Sequence, residues 1–438
     1  MKKYINYKQN ESEYEQMAQH IANLCAIPSI SDETESSVFP FGKATNNALD
    51  YALNLAKSFG FNIYKDEKNR YGYAEIGKGN KIIGILAHLD VVPAGDESQW
   101  NTSAFEPIIT NEAIIARGSL DDKGPSVINL YAMKYINDNN LLEDEWKIRI
   151  VFGISEETNM KSMKYYIADH GAPYISYTPD GEWPLIYAEK MVYHVNLEFP
   201  KVKDIYLEAG EVVNQIPDNL YLKYQGNDEI IKGIGGHGST PEKGQNAIIK
   251  AIKLLPEKHL ELKSEPLFKF ILDNLSNENY ELKNIFKNYE DFSGKLSANL
   301  GIIKTNEQSH VLSFDFRVPV SHSVDEVTND LNTYLEKEFN GLVKLNIIGT
   351  KQPKYIPKDS KLVSILMETF NEGMHTNEVP LAIGGGTYAR LIENCVAFGS
   401  TKYMHLMHGP NENFTHKEIK ESLEIYINAL NRLQDYDK

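Results

Sequence analysis

The chain has 438 residues, 42% of them apolar and 24% charged, a composition that excludes disorder over its whole length. Sixty-one acids against 45 Lys and Arg give a net charge of −16, which disfavours nucleic acid and anionic membranes as partners. Two cysteines, Cys25 and Cys395, exclude a disulfide scaffold and fit a reducing compartment.

The N-terminal MKKYINYKQNESEYEQ lacks the apolar stretch of a secretory signal, and no run reaches the about 18 apolar residues of a membrane span. A soluble, cytoplasmic protein is therefore expected. Residues 14–27 and 44–59 have helical spacing; in the second, Ala48, Leu49, Ala52, Leu55, Ala56 and Phe59 share a side. Residues 81–90 (KIIGILAHLD) and 147–154 (KIRIVFGI) read as strands buried on both faces, with a helix at 125–137 between them. This alternation predicts an α/β domain, a mostly parallel mixed sheet flanked by helices.

The pattern changes after about residue 189. Residues 192–199 and 312–320 alternate apolar with polar, as strands with one wet face do. A helix is expected over 242–255, and Ser323 with Glu326 forms a capping box ahead of another. The expected organisation is a catalytic domain from 1–188 and 352–438, with an α+β lid domain inserted at 189–351.

Five segments carry chemistry. His88 and Asp90 lie two apart at a strand end, where an aspartate can accept the second N–H of a ligating imidazole. Asp121 and Asp122 stand in GSLDDKGP, after the strand-like AIIARG (113–118) and before the predicted helix. Glu156 and Glu157 follow the next strand, Asp180 sits in YTPDGEWP, and His408 sits in MHGPNENF. Taken singly, each has an ordinary structural reading as a turn, a helix cap or a loop histidine. Together they place imidazoles and carboxylates at the carboxyl ends of strands of one expected sheet, where α/β folds bind ligands. Asp90, Asp121, Glu156, Glu157 and Asp180 could not all stay ionised in one cleft without cations, and two divalent ions nearly balance them. The ligand types suit zinc or manganese, with cobalt possible.

HLDVVP, GSLDDKGP, SEE, PD and a late histidine before NE resemble, in that order, the co-catalytic zinc exopeptidases. That family includes bacterial dipeptidases, glutamate carboxypeptidases, aminoacylases and desuccinylases. GIGGHGSTPEKGQNAI (233–248) and GGGTYAR (384–390) extend the match; Tyr388 stands where many relatives carry aspartate, which tilts it towards the dipeptidase V branch.

The resemblance implies one metal on His88, Asp121 and Asp180 and another on Asp121, Glu157 and His408, with Asp121 bridging. It makes Glu156 the general base for a metal-activated water and His237 a donor to the developing oxyanion, with Asp90, the expected partner of the His88 imidazole, also in the catalytic set. Arg317 would clamp the substrate carboxylate, helped by Asn214 and the backbone of Gly385 and Gly386. It also implies a cis Asp121–Asp122 peptide. The expected activity is a metal-dependent dipeptidase acting on free dipeptides. The alternative is an N-acyl amino acid deacylase such as succinyl-diaminopimelate desuccinylase. A non-catalytic binding protein is disfavoured because every motif residue is present. The size of the insert, including the charged stretch 263–295, suggests a lid large enough for His237 to serve its own chain, hence a monomer.

Overall fold

A computed structural model describes residues 1–34, 38–276 and 280–438. The chain forms two compact units: 1–187, 356–381 and 387–438 make the first, and 188–355 with 382–386 make the second. Residues 352–355 and the start of the glycine loop, both assigned from sequence to the last catalytic segment, thus group with the second unit by contact.

The first unit is built on a mixed sheet flanked by helices. Its strands run Asn62–Lys65, Gly72–Gly77, Trp146–Gly153, Lys81–His88, Ile175–Thr178, Cys395–Ala397 and Ile186–Glu189 in spatial order. Lys81–His88 lies parallel to both Trp146–Gly153 and Ile175–Thr178, and Cys395–Ala397 is parallel to Ile175–Thr178. Both faces are covered, so the two longest strands are almost wholly buried, as their uninterrupted apolar runs require. His88 pairs with Gly153 at the end of the register. The loops that follow these strands therefore leave one edge together, which places His88, Glu156, Glu157 and Asp180 near one another.

The segment AIIARG behaves differently from expectation. Ala113–Ile115 joins Ile108–Ile109 and Asn413–Thr415 in a separate three-stranded sheet rather than the main one. That pairing ties the Asp121 loop to the chain just beyond His408. Helix Lys123–Asp138 starts directly after Asp122 and packs against helix His416–Leu433.

The second unit has seven antiparallel strands, in the order Asn227–Lys232, Asn219–Tyr224, Ile205–Ala209, Ser297–Thr305, Ser309–Val318, Met191–Pro200, Lys344–Lys351. Met191–Pro200 alternates buried with half-buried positions over most of its length. The capping box at Ser323 and Glu326 is present and opens helix Val324–Phe339. The helix expected from 242 starts later, at Ala247, because Asn246 caps it by accepting from Ile248 N and Ile249 N. Within 263–295, of which 277–279 lie outside the described residues, Leu267, Phe268, Phe270, Ile271, Leu282 and Phe286 are buried in this unit's own core.

Candidate functional site

In the first unit, five side chains converge, one from a strand end and four from loops. His88 Nε2 lies 2.9 Å from Asp121 Oδ1 and 3.8 Å from Asp180 Oδ2. His408 Nε2 lies 2.9 Å from Asp121 Oδ2 and 3.2 Å from Glu157 Oε1. Asp121 thus turns one oxygen to each histidine. The atoms of each triad, His88–Asp121–Asp180 and Asp121–Glu157–His408, lie within 4.8 Å of one another.

Whether these residues suit cations can be read from their partners. His88 Nε2, Asp121 Oδ1, Asp122 Oδ1 and Glu156 Oε1 are buried without a hydrogen-bond partner. Nε2 and Oδ1 approach to 2.9 Å without the alignment of a hydrogen bond. Burial pushes the Glu156 carboxyl up to about 8, reinforced by Glu157, Asp90 and Asp121. Burial and then the Asp121 charge raise Asp180 and Glu157 likewise. Burial opposes ionisation of Asp121 too, but the two imidazoles beside it overcome that and hold its carboxyl low. A cluster of this kind, with imidazole and carboxylate donors, fits divalent transition metals.

Asp90 does something other than the sequence suggests. His88 Nδ1 donates to the backbone carbonyl of Asp90 at 2.9 Å, while the nearer side-chain oxygen is 3.6 Å away. The Asp90 carboxylate instead accepts from Glu156 N and Glu157 N, each at 3.0 Å. It orients the acid pair, and the carbonyl fixes the imidazole tautomer. Asp122 supports the same residue from the other side, accepting from His88 N at 3.0 Å. The Asp121–Asp122 peptide is cis. Tyr388 is fully buried, with its ring edge-on to His88 at 6.2 Å between centroids. Its hydroxyl would stand 2.0 Å from a Cβ at Gly153, so that strand end has to be glycine.

The second unit gathers its own polar group. His237 pairs with Gln215 in a short ladder, and Gly238 N donates to Asn214 O at 2.7 Å. Nδ1 of His237 accepts from Ser239 N, which leaves the ring proton on Nε2, a donor. Gly384 lies between Ser239 and Arg317; an added Cβ would meet them at 3.4 and 3.7 Å. A Cβ added at Gly385 would meet the Ile383 side chain at 3.5 Å. Arg317 is nearly buried and much of its fork is committed. Nε and Nη2 donate to Asp315 Oδ2 and Nη1 donates to Gly384 O, leaving one N–H on each terminal nitrogen.

Sequence reasoning gave no role to Asp315 or to Asn299, whose amide donates to the carbonyls flanking Asn214. It also gave none to Arg117, or to Glu412, which stands in the quoted NE pair. All four act through backbone or buried contacts that leave no periodic trace.

The profile of peptidase family M20/M25/M40 matches residues 84–432, and the chain belongs to that family of metal-dependent peptidases. A Staphylococcus aureus (strain USA300) protein described as "Putative dipeptidase" is 31% identical, over 97% of this chain and 98% of its own. Among solved structures, dipeptidase Dug1p of Saccharomyces cerevisiae superposes with a TM-score of 0.63 at 14% identity, covering 98% of both chains. Human carnosine dipeptidase 1 gives 0.62 at 14%, covering 97% of both. These likenesses show the fold. Among the described residues no helix is long and apolar enough to cross a membrane.

Proposed function

We propose that this peptidase is a dipeptidase with a two-metal centre. The observation that carries the reading is the division of Asp121 between two ligand triads, one oxygen to each. His88 and Asp180 complete one triad, and Glu157 and His408 the other. Divalent cations held there would polarise a peptide carbonyl and lower the pKa of the attacking water.

Glu156 belongs to neither triad, and its buried oxygen has no partner. Outside both triads and beside them, it is placed to take a proton from water and return it to the leaving amine. Asp90, bonded to Glu156 N, holds that base in place. His237 donates from Nε2 to the carbonyl oxygen as charge develops there. The two N–H groups left on Arg317 take the substrate carboxylate, with Asn214, Gly385 and Gly386 beside them. The acid-rich surroundings of the triads suit a free substrate ammonium.

The test is a panel of free dipeptides, N-acetyl dipeptides and N-acyl amino acids, assayed with zinc, manganese and cobalt supplied separately. Free dipeptides should be cleaved, and an N-acetyl cap should cost about 2–5 kcal/mol in kcat/KM by leaving an acid partner unpaired. Equal cleavage of capped and free dipeptides would favour the deacylase alternative. We also propose a self-contained monomer of the cytoplasm. Mixing inactive His237→Ala and Glu156→Gln proteins should restore nothing, and regained activity would show a site shared between chains.

A further inference from the structure

Glu412 is fully buried, and its carboxylate is divided between two tasks. Oε1 accepts from Leu120 N at 2.9 Å and Asp121 N at 3.2 Å; Oε2 accepts from Arg117 Nη1 at 2.7 Å. Arg117 is 1% exposed. Its Nη2 donates to His408 O at 3.2 Å and Pro93 O at 3.3 Å, and its guanidinium carbon sits 5.2 Å from the centre of the Trp100 ring. Only Nε lacks a partner among the described residues. The backbone around the pair is closed as well. Ala116 N donates to Glu412 O, and Asn413 pairs with Ile115.

A buried ion pair is a poor way to add stability, since well-packed apolar residues often do better. This one spends its remaining bonds on the backbone of two ligand residues, Asp121 and His408. Those residues come from distant loops; Arg117, near the first, and His408 in the second are 291 positions apart. His408 also has a left-handed backbone, φ 61°, as does Asn411 at 57°. That conformation is unfavourable for a side-chain-bearing residue and persists where surroundings enforce it. The guanidinium bond to the His408 carbonyl supplies part of that enforcement.

We infer that Arg117 and Glu412 are a positioning pair that sets the distance between Asp121 and His408, and so governs metal affinity chiefly at the His408 triad, where it holds two ligand residues, and less at the His88–Asp180 triad, which it reaches through Asp121 alone. Nothing in the pair touches His88 or Asp180. The inference rests on the two-metal reading proposed above.

The experiment is a calorimetric titration of the full-length, chelator-stripped protein with cobalt(II), backed by the cobalt absorption spectrum. Wild type, Glu412→Gln and Arg117→Lys are compared, with His408→Ala and Asp180→Asn as references for each triad. Lysine keeps the charge beside Glu412 but cannot also span to the His408 carbonyl, so it reports if the glutamine variant fails to fold. The expected result is two ions in wild type. In each positioning variant one ion should be weakened about 10–100-fold, the range usual for groups that orient metal ligands. The spectrum should resemble His408→Ala, with the other ion within about threefold of wild type. Two wild-type ions, with both weakened alike or neither weakened in the variants, would overturn the inference and leave the two-metal reading intact. A single ion in wild type would overturn that reading, and the inference with it.

Discussion

The two units bury polar groups in opposite ways. In the second, buried charge is closed on itself: Asp315 is shared by Arg317 and His194. His310 accepts from Val202 N and faces the Thr305 hydroxyl. Its unpartnered buried side-chain atoms, among the described residues, are amide oxygens of Asn196, Asn274 and Asn299, which carry no net charge. In the first unit they include carboxylate oxygens of Asp121, Asp122 and Glu156 and a ring nitrogen of His88, all in one cluster. An uncompensated buried charge commonly costs several kcal/mol, so a fold retains such a cluster where something bound completes it. The first unit is organised for a ligand, and the second largely for its own integrity.

The contrast can be broken most directly at Glu156. Glu156→Gln removes a base and no ligand, so turnover should fall by about 10²–10⁴-fold while metal content, read by elemental analysis, stays at the wild-type level. Loss of metal, or near-normal turnover, would reverse the roles of Glu156 and Glu157.

Stripping the cations should separate the units next. Ions held at a hundred times their Kd stabilise by about 2.7 kcal/mol, and that support belongs to the first unit alone. Hydrogen exchange after chelation should therefore speed up in the segments carrying His88, Asp121, Glu156 and His408. It should stay unchanged in the seven-stranded sheet. Uniform loosening of both units would count against the contrast.

The smallest effect is a proton's. Burial, with some help from Lys201, lowers the His310 ring to about 4 from its ordinary 6.5. Between those values the unfolded chain binds the proton and the folded chain does not, so stability rises with pH across that window. The contribution is complete above about pH 6.5 and is lost as pH falls towards 4, about 3 kcal/mol in all. Denaturant unfolding at pH 7 and 4.5 should show His310→Gln losing less stability on acidification than wild type. Equal losses would mean that His310 is not the sensor.

The sheet elements were legible because they are local. KIIGILAHLD and KIRIVFGI are uninterrupted apolar runs and became parallel neighbours. VYHVNLEF alternates and became a strand with one buried face. The acids and His88 drew notice at expected strand and helix ends, whereas their division with His408 into two ligand sets came only from the resemblance to the exopeptidase family. What stayed hidden depends on distant pairing. Asp90 was read as the partner of a side chain two residues away, whereas its carboxylate reaches amides 66 and 67 residues on. AIIARG looked like another strand of the main sheet, but it pairs with Asn413–Thr415 from the far end of the chain. Asn246 moved a helix start by capping it, which the apolar spacing alone did not register.

The spread of the first unit's cluster along the chain has a consequence for synthesis. His88, Asp121, Glu156, Glu157 and Asp180 leave the ribosome long before His408 and Glu412. A nascent chain therefore carries the acids without the second imidazole or the carboxylate bonded to the Asp121 amide. Until the last stretch emerges, the shared site lacks half its frame, and a growing chain is not yet a peptidase among other growing chains.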